Sequence, residues 1–140
     1  MMGRIIALDM GSVRIGVAVS DPLGVFAQGI AVLPAEGPWM RRLEELMTSY
    51  AANRILVGFP RRTSGEEGPE ARRMMELVAL LRERFPGVTV ETEDERFTTV
   101  MAHRAMREGD ASRGDRRRKV DGVAAALLLQ GYLDRRRNAS

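Results

Sequence analysis

The chain contains no cysteine, which removes both a disulfide framework and a thiolate metal site from consideration. It holds one histidine, His103, so neither the usual zinc ligand sets nor a serine–histidine triad has its parts. Aromatics are scarce. The single tryptophan (Trp39), two tyrosines and four phenylalanines are not interleaved with basic residues, as a base-stacking strand requires. No apolar run is long enough to span a bilayer, so no membrane partner is expected. No secretory leader is read at the start either: Gly3 and Arg4 lead into Ile5, Ile6, Ala7 and Leu8, and Asp9 and Arg14 soon interrupt. The cytoplasm is the expected compartment.

What is present suits one globular domain over residues 1–140, with 44% hydrophobic and 29% charged residues. The formal charge of +3 is only mildly basic, but its distribution is uneven. Basic residues gather at Arg113, Arg116, Arg117, Arg118 and Lys119, and again at Arg135, Arg136 and Arg137. Acids gather at Glu91, Glu93, Asp94 and Glu95. An acidic site beside basic patches suits a metal-dependent enzyme acting on a polyanion. A solvated charged surface is the plainer alternative for the basic run.

The hydrophobic pattern predicts strands over 4–8 and 14–20, joined by a turn short enough for an antiparallel hairpin. A third strand is expected over 25–33, weakened by Gly29. Leu43, Leu46, Met47 and Tyr50 recur at helical spacing, predicting a helix over 39–52. A strand over 54–58 and a polar loop over 59–68 follow. Pro69 suits a helix start, with Met74, Leu77, Val78, Leu81 and Phe85 as the apolar face. The β-branched segment 88–92 reads as the next strand. Helices over roughly 100–108 and 119–134 close the chain, separated by a polar, basic stretch, and the ends 1–3 and 135–140 are expected to fray. There is no internal repeat and no linker. Right-handed crossovers would set the later strands parallel to the first, giving an α/β fold: a mixed five-stranded sheet flanked by helices.

Three carboxylates stand out in that frame. Asp9 comes where the first strand leaves the sheet, beside Gly11, and functional groups gather at the carboxyl ends of strands in open α/β sheets. A charge directly after apolar strand residues is costly without a purpose, although a turn former is the simpler reading. Glu95 follows the last strand and would share that sheet edge if the strand is parallel to the first. Pairing with Arg96 is its alternative, and Glu93 and Asp94 are adjacent competitors. Asp121 falls in the first turn of the last helix, where the helix dipole favours an anion, as it does for many ordinary helix-start acids. Three converging carboxylates repel one another unless a cation joins them, and hard oxygen ligands suit Mg²⁺ or Mn²⁺. Two such ions about 4 Å apart can activate a water and stabilise the leaving oxygen of a phosphodiester.

Candidate substrate contacts are basic. Arg14 can meet a phosphate or an acidic neighbour. Arg61, Arg62, Arg116, Arg117, Arg118 and Lys119 are candidates for nucleic-acid backbone contacts, which supply affinity without sequence choice. Phe97 is a stacking, core or lid residue. His103 is expected at the surface or at a helix packing edge. The segment DMGSVRIG, with Gly11 and Gly16, resembles the first phosphate hairpin of actin-like and sugar-kinase ATPases. Those enzymes use two lobes around a cleft and this chain supplies one, so nucleotide binding is disfavoured.

Four blocks together resemble the RuvX/YqgF family of Holliday junction resolvases: ALDMGSVRIGVAVSD at 7–21, ILVGFPRRTSGEEG at 55–68, ETEDERFTT at 91–99 and KVDGVAAALLLQGYL at 119–133. They occur in family order over nearly the whole chain. The resemblance implies a ribonuclease-H-like fold, with Asp9, Glu95 and Asp121 matching the family's three acids as metal ligands and catalytic residues. Arg14 and Gly16 match its second-strand positions, and Arg96, Thr98 and Thr99 match its DER motif, which adds Arg96 to the substrate-binding set. Phe59 stands where the family usually has leucine. The implied activity is Mg²⁺- or Mn²⁺-dependent phosphodiester hydrolysis with no covalent enzyme intermediate. The implied role is maturation of the 5′ end of pre-16S ribosomal RNA. Resolution of four-way DNA junctions and non-catalytic RNA binding in ribosome assembly are the alternatives. Partners would be pre-rRNA or branched DNA and ribosomal precursor particles, with the protein a monomer or homodimer.

Overall fold

A computed structural model of the chain describes residues 3–59, 69–94 and 122–139. Its centre is a hairpin of β1 (Arg4–Met10) and β2 (Arg14–Ser20), paired antiparallel from Ile6↔Val19 to Met10↔Ile15. β3 (Ala27–Pro34) continues antiparallel beyond β2. β4 (Ala52–Phe59) lies parallel to β1, and β5 (Thr89–Asp94) parallel to β4. The five strands run in the order β3-β2-β1-β4-β5, the expected mixed α/β sheet. The carboxyl ends of β1, β4 and β5 therefore share one edge.

Local chemistry explains where elements begin and end. β3 starts at Ala27 rather than 25 because the Asp21 carboxylate accepts hydrogen bonds from the Val25 and Phe26 amides, at 2.7 and 3.0 Å. Those backbone bonds, Phe26's first, hold the Asp21 pKa below its ordinary value against the opposing effect of burial. Gly29 sits at a bulge: Ala18 pairs with Gly29 and Val17 with Ala31, so β3 carries an extra residue there. α1 (Trp39–Ser49) stops short of the expected 52. Ala51 takes a left-handed φ of 52°, and its amide closes the turn on the Thr48 carbonyl at 3.2 Å.

α2 (Pro69–Arg84) begins at the predicted proline. The last helix, α3, spans Val123–Ala139 instead of 119–134. Gly122, with φ of 75°, is outside the helix and accepts its first hydrogen bond, from the Ala126 amide at 2.8 Å. Asp121, expected in the first turn of this helix, lies outside the described residues. Residues 135–139, expected to fray, are helical. They are held by ion pairs from Arg135 to Glu93 and from Arg137 to Asp134. The helix expected over 100–108 lies outside the described residues.

The sheet buries two different faces. One packs Ile6, Leu8, Ile15, Val17, Leu33, Ile55 and Val57 under Leu43 and Met47 of α1 and Val78 and Leu81 of α2. The other packs Ile5, Ala7, Ala18 and Leu56 under Ala124, Ala125, Leu128, Leu129, Tyr132 and Leu133 of α3. Period-two alternation divides each strand between these faces.

Candidate active site

Asp9 lies within β1, one residue before its end, and is 1% exposed. The strand does not stop before it: the ladder continues through Asp9↔Gly16 and Asp9↔Gly58 to Met10↔Ile15. Asp9 shares the parity of Ile5 and Ala7, so its side chain belongs to the α3 face. Gly16 opposite leaves room beside it. A methyl group at Gly16 would stand 3.7 Å from Asp9 Oδ2 and 3.7 Å from Ala125 Cβ, filling the space between the carboxylate and the helix.

The start of α3 is brought to this end of the sheet by close backbone packing. A methyl group at Gly122 would lie 2.9 Å from both Gly29 Cα and the Val17 carbonyl oxygen. Only a residue without Cβ fits, and the positive φ selects glycine as well. The bulge in β3, Gly29 and Gly122 thus form one contact, directly after Asp121 in the chain. Gly29 reads in sequence only as a weak strand residue; its partner across the fold is what gives it a role.

On the other side of Asp9 the register runs Asp9↔Gly58 and Gly58↔Glu93. Glu91 and Glu93 both face α3. Glu91 pairs with Arg54 and accepts a hydrogen bond from the Tyr132 hydroxyl at 2.6 Å. Arg136 donates to that hydroxyl at 2.9 Å and lies over the Tyr132 ring. Burial, then the hydrogen bond and charge of Glu91, raise the Tyr132 pKa. Glu93 pairs with Arg135. These contacts tie Arg135, Arg136 and Arg137 to the fold rather than leaving them a loose basic tail. The sequence signal for this lock was the shared parity of Glu91 and Glu93 against Tyr132 and Arg135, one helical turn apart.

Arg14 opens β2 and is exposed. It has the parity of Gly16, placing it on the Asp9 face at the hairpin end, where its carbonyl accepts the Gly11 amide at 3.0 Å. Of the remaining predicted site residues, Glu95, Asp121, Arg61, Arg62, Arg96, Arg116, Arg117, Arg118 and Lys119 lie outside the described residues, as do Phe97 and His103. Their described neighbours are the end of β5 at Asp94, level with Phe59, and Gly122. Among the described residues no group of three acidic or histidine side chains stands close enough to hold a metal ion. The Asp9 carboxylate nonetheless fits one ligand of a hard cation: an oxygen donor, firmly placed in the strand, with a glycine opposite it.

The sheet order and the helices on both faces define a mixed α/β architecture, and solved structures share it. The Fowlpox virus resolvase in complex with Holliday junction DNA superposes with a TM-score of 0.54 at 14% identity, covering 94% of this chain and 97% of that one. T. thermophilus RuvC in complex with a Holliday junction substrate gives 0.50 at 14% identity, covering 96% of each. At that identity the likeness is one of fold, the ribonuclease-H-like fold implied by the sequence. The chain belongs to the RuvX family, described as Holliday junction resolvase, whose model matches residues 3–135. Its relatives include a protein of Clostridium botulinum (strain Eklund 17B / Type B) named "Putative pre-16S rRNA nuclease", 45% identical over 134 residues, covering 94% of this chain and 97% of the relative. A protein of Desulforamulus reducens with the same name is 40% identical over 133 residues, with 94% and 96% covered.

Proposed function

We propose that the chain is a divalent-metal-dependent phosphodiester endonuclease of the cytoplasm that matures the 5′ end of pre-16S rRNA. The observation that carries this reading is Asp9: a buried carboxylate at the carboxyl end of the central strand, with glycine opposite and the start of α3 alongside. Family membership and the names of the relatives support the substrate class.

In this proposal Asp9, Glu95 and Asp121 hold Mg²⁺ or Mn²⁺. When bound, the ion supplies activation of water and stabilisation of the leaving oxygen. The chain's own work is to fix the three acids and to seat the strand. Asp9 is held by pairing on both sides of β1. Arg14 lies on the same face for a phosphate contact, and Arg61, Arg62, Arg96, Arg116, Arg117, Arg118 and Lys119 extend the basic surface. Such contacts give salt-dependent affinity without sequence choice. The products carry a 5′ phosphate, and no side chain becomes covalently attached. Precursor ribosomal particles are the proposed natural form of the substrate.

Cleavage of four-way DNA is the second reading, favoured by the family description and by the fold shared with junction-bound resolvases. The two are separated by incubating the full chain with a 5′-extended pre-16S RNA segment and, in parallel, a four-way DNA junction, each with Mg²⁺ or Mn²⁺. The RNA is expected to be cut, and Asp9→Asn, Glu95→Gln or EDTA to slow cutting by more than about 100-fold, the upper end of what losing even an outer-shell partner does. Paired symmetric cuts in the junction with the RNA intact would assign a dimeric resolvase. RNA binding without any cleavage, unchanged in the two variants, would assign a non-catalytic assembly factor.

A further inference from the structure

We propose that the turn between β2 and β3 is a docking tip: Leu23 and Phe26 enter an apolar groove on a protein component of the precursor ribosomal particle. This deepens the nuclease reading, on which the choice of particle rests. Leu23 is 84% exposed, more than any other large apolar side chain among the described residues, and Phe26 is 68% exposed. Both stand on the turn from Asp21 to Phe26, with Pro22 exposed as well. Apolar residues scattered singly over a surface are ordinary, whereas grouped ones mark contact sites.

The turn is held rigidly with these side chains outside. Asp21 Oδ1 accepts the Val25 and Phe26 amides at 2.7 and 3.0 Å. The Asp21 amide donates to the Phe26 carbonyl at 2.9 Å, and the Gly24 amide to the Asp21 carbonyl at 3.0 Å. From α3, the Gln130 side chain accepts the Ala27 amide at 2.9 Å and donates to the Val25 carbonyl at 2.8 Å. A preformed tip loses little conformational entropy on binding.

Charge and area select the occupant. The amides of Asp21 and of Gly24 through Ala27 are all engaged within the fold, so the turn offers no nest of amides to a phosphate. Asp21 stays ionised, its pKa lowered first by the Phe26 amide, and its charge repels a nucleic-acid backbone. The next carboxylate, Asp134, accepts from Gln130 at 3.1 Å and is offset by Arg137. A second copy is disfavoured by area. Covering Leu23 and Phe26 removes roughly 300 Å² from each chain. Two tips meeting would bury about 600 Å², short of the roughly 1,000 Å² of a specific interface. A groove on another protein supplies the remaining area itself. β2 runs from Gly16, opposite Asp9, to Ser20 at the base of the turn, about 13 Å of strand. A partner held there stands away from the Asp9 end.

The test is binding of the full chain, labelled at its amino terminus and read by fluorescence anisotropy, to two probes. One is small-subunit precursor particles carrying 5′-extended 16S RNA; the other is the same RNA stripped of protein. Leu23→Ser/Phe26→Ser should weaken particle binding by at least about 10-fold, as loss of anchor side chains does. Its binding to stripped RNA and its thermal midpoint should stay close to wild type. Leu23→Met/Phe26→Leu, which keeps both positions apolar, should retain most of the particle affinity. Equal weakening on both probes would make the turn an RNA contact and overturn the inference. Unchanged particle binding, or a wild type that binds particles no tighter than stripped RNA, would overturn it too. A wild-type dimer in sedimentation that the serine variant loses would overturn it in favour of a second copy. Because the readout is binding, a chain that docks through the turn but cuts no RNA would overturn the nuclease reading and leave this one standing.

Discussion

The two faces of the sheet are built from the same strands but from different residues. Under α1 and α2 the sheet offers Ile6, Leu8, Ile15, Val17, Ile55 and Val57, large side chains that keep the helices at a distance and fill the gap. Under α3 it offers Ile5 and Leu56, met by leucines and Tyr132, but also Ala7 and Ala18, with Gly16 and Gly29 beyond them, met by Ala124 and Ala125 at the start of the helix. Small residues let the helix backbone approach the strands directly. The close face is also the one that carries Asp9. Large residues fill the first face, whereas small residues at the second bring the start of α3 close to β2 and β3 beside the strand that carries Asp9.

That contrast predicts different failures on the two faces. On the large-residue face, Leu8→Ala should leave a cavity and destabilise the fold by about 2–5 kcal/mol, read as a lower midpoint in urea unfolding. Cleavage by the folded fraction should be nearly unchanged. On the close face, Gly122→Ala adds only one methyl group, but into backbone 2.9 Å away and at a positive φ. Its stability effect should be smaller, about 1–3 kcal/mol, whereas Mn²⁺ affinity and cleavage should both fall because the start of α3 is displaced. If Gly122→Ala unfolds the chain more than Leu8→Ala while sparing activity, the division between a packing face and a working face is wrong.

Much of the fold was legible from local pattern. The hairpin strand 14–20 matches β2 residue for residue, and Pro69 marks the start of α2. What the pattern missed depends on contacts between distant residues. Asp9 reads as the end of a strand because a charge follows four apolar residues. In the fold it is inside the sheet, since its backbone pairs on both sides whatever the side chain is. The arginines at 135–137 read as a frayed basic tail because their partners, Glu93 and Tyr132 among them, lie on other elements or an earlier turn. Gly29 reads as a defect in β3 because Gly122, for which it makes room, is far away in sequence. The acids themselves were legible by type and by family resemblance. Their convergence is a tertiary property that local pattern does not carry, and of the three only Asp9 lies among the described residues.

The central claim is that the Asp9 end of the close face holds a divalent cation. The most direct test is the thermal midpoint of wild type and Asp9→Asn, each measured in EDTA and in saturating Mn²⁺. Binding to the native state alone must stabilise it, by about 2.7 kcal/mol at one hundred times the dissociation constant. Wild type should therefore gain several degrees with Mn²⁺, and Asp9→Asn should remain folded in EDTA and gain almost nothing. An equal Mn²⁺ shift in both proteins would contradict the assignment of Asp9 to the metal site.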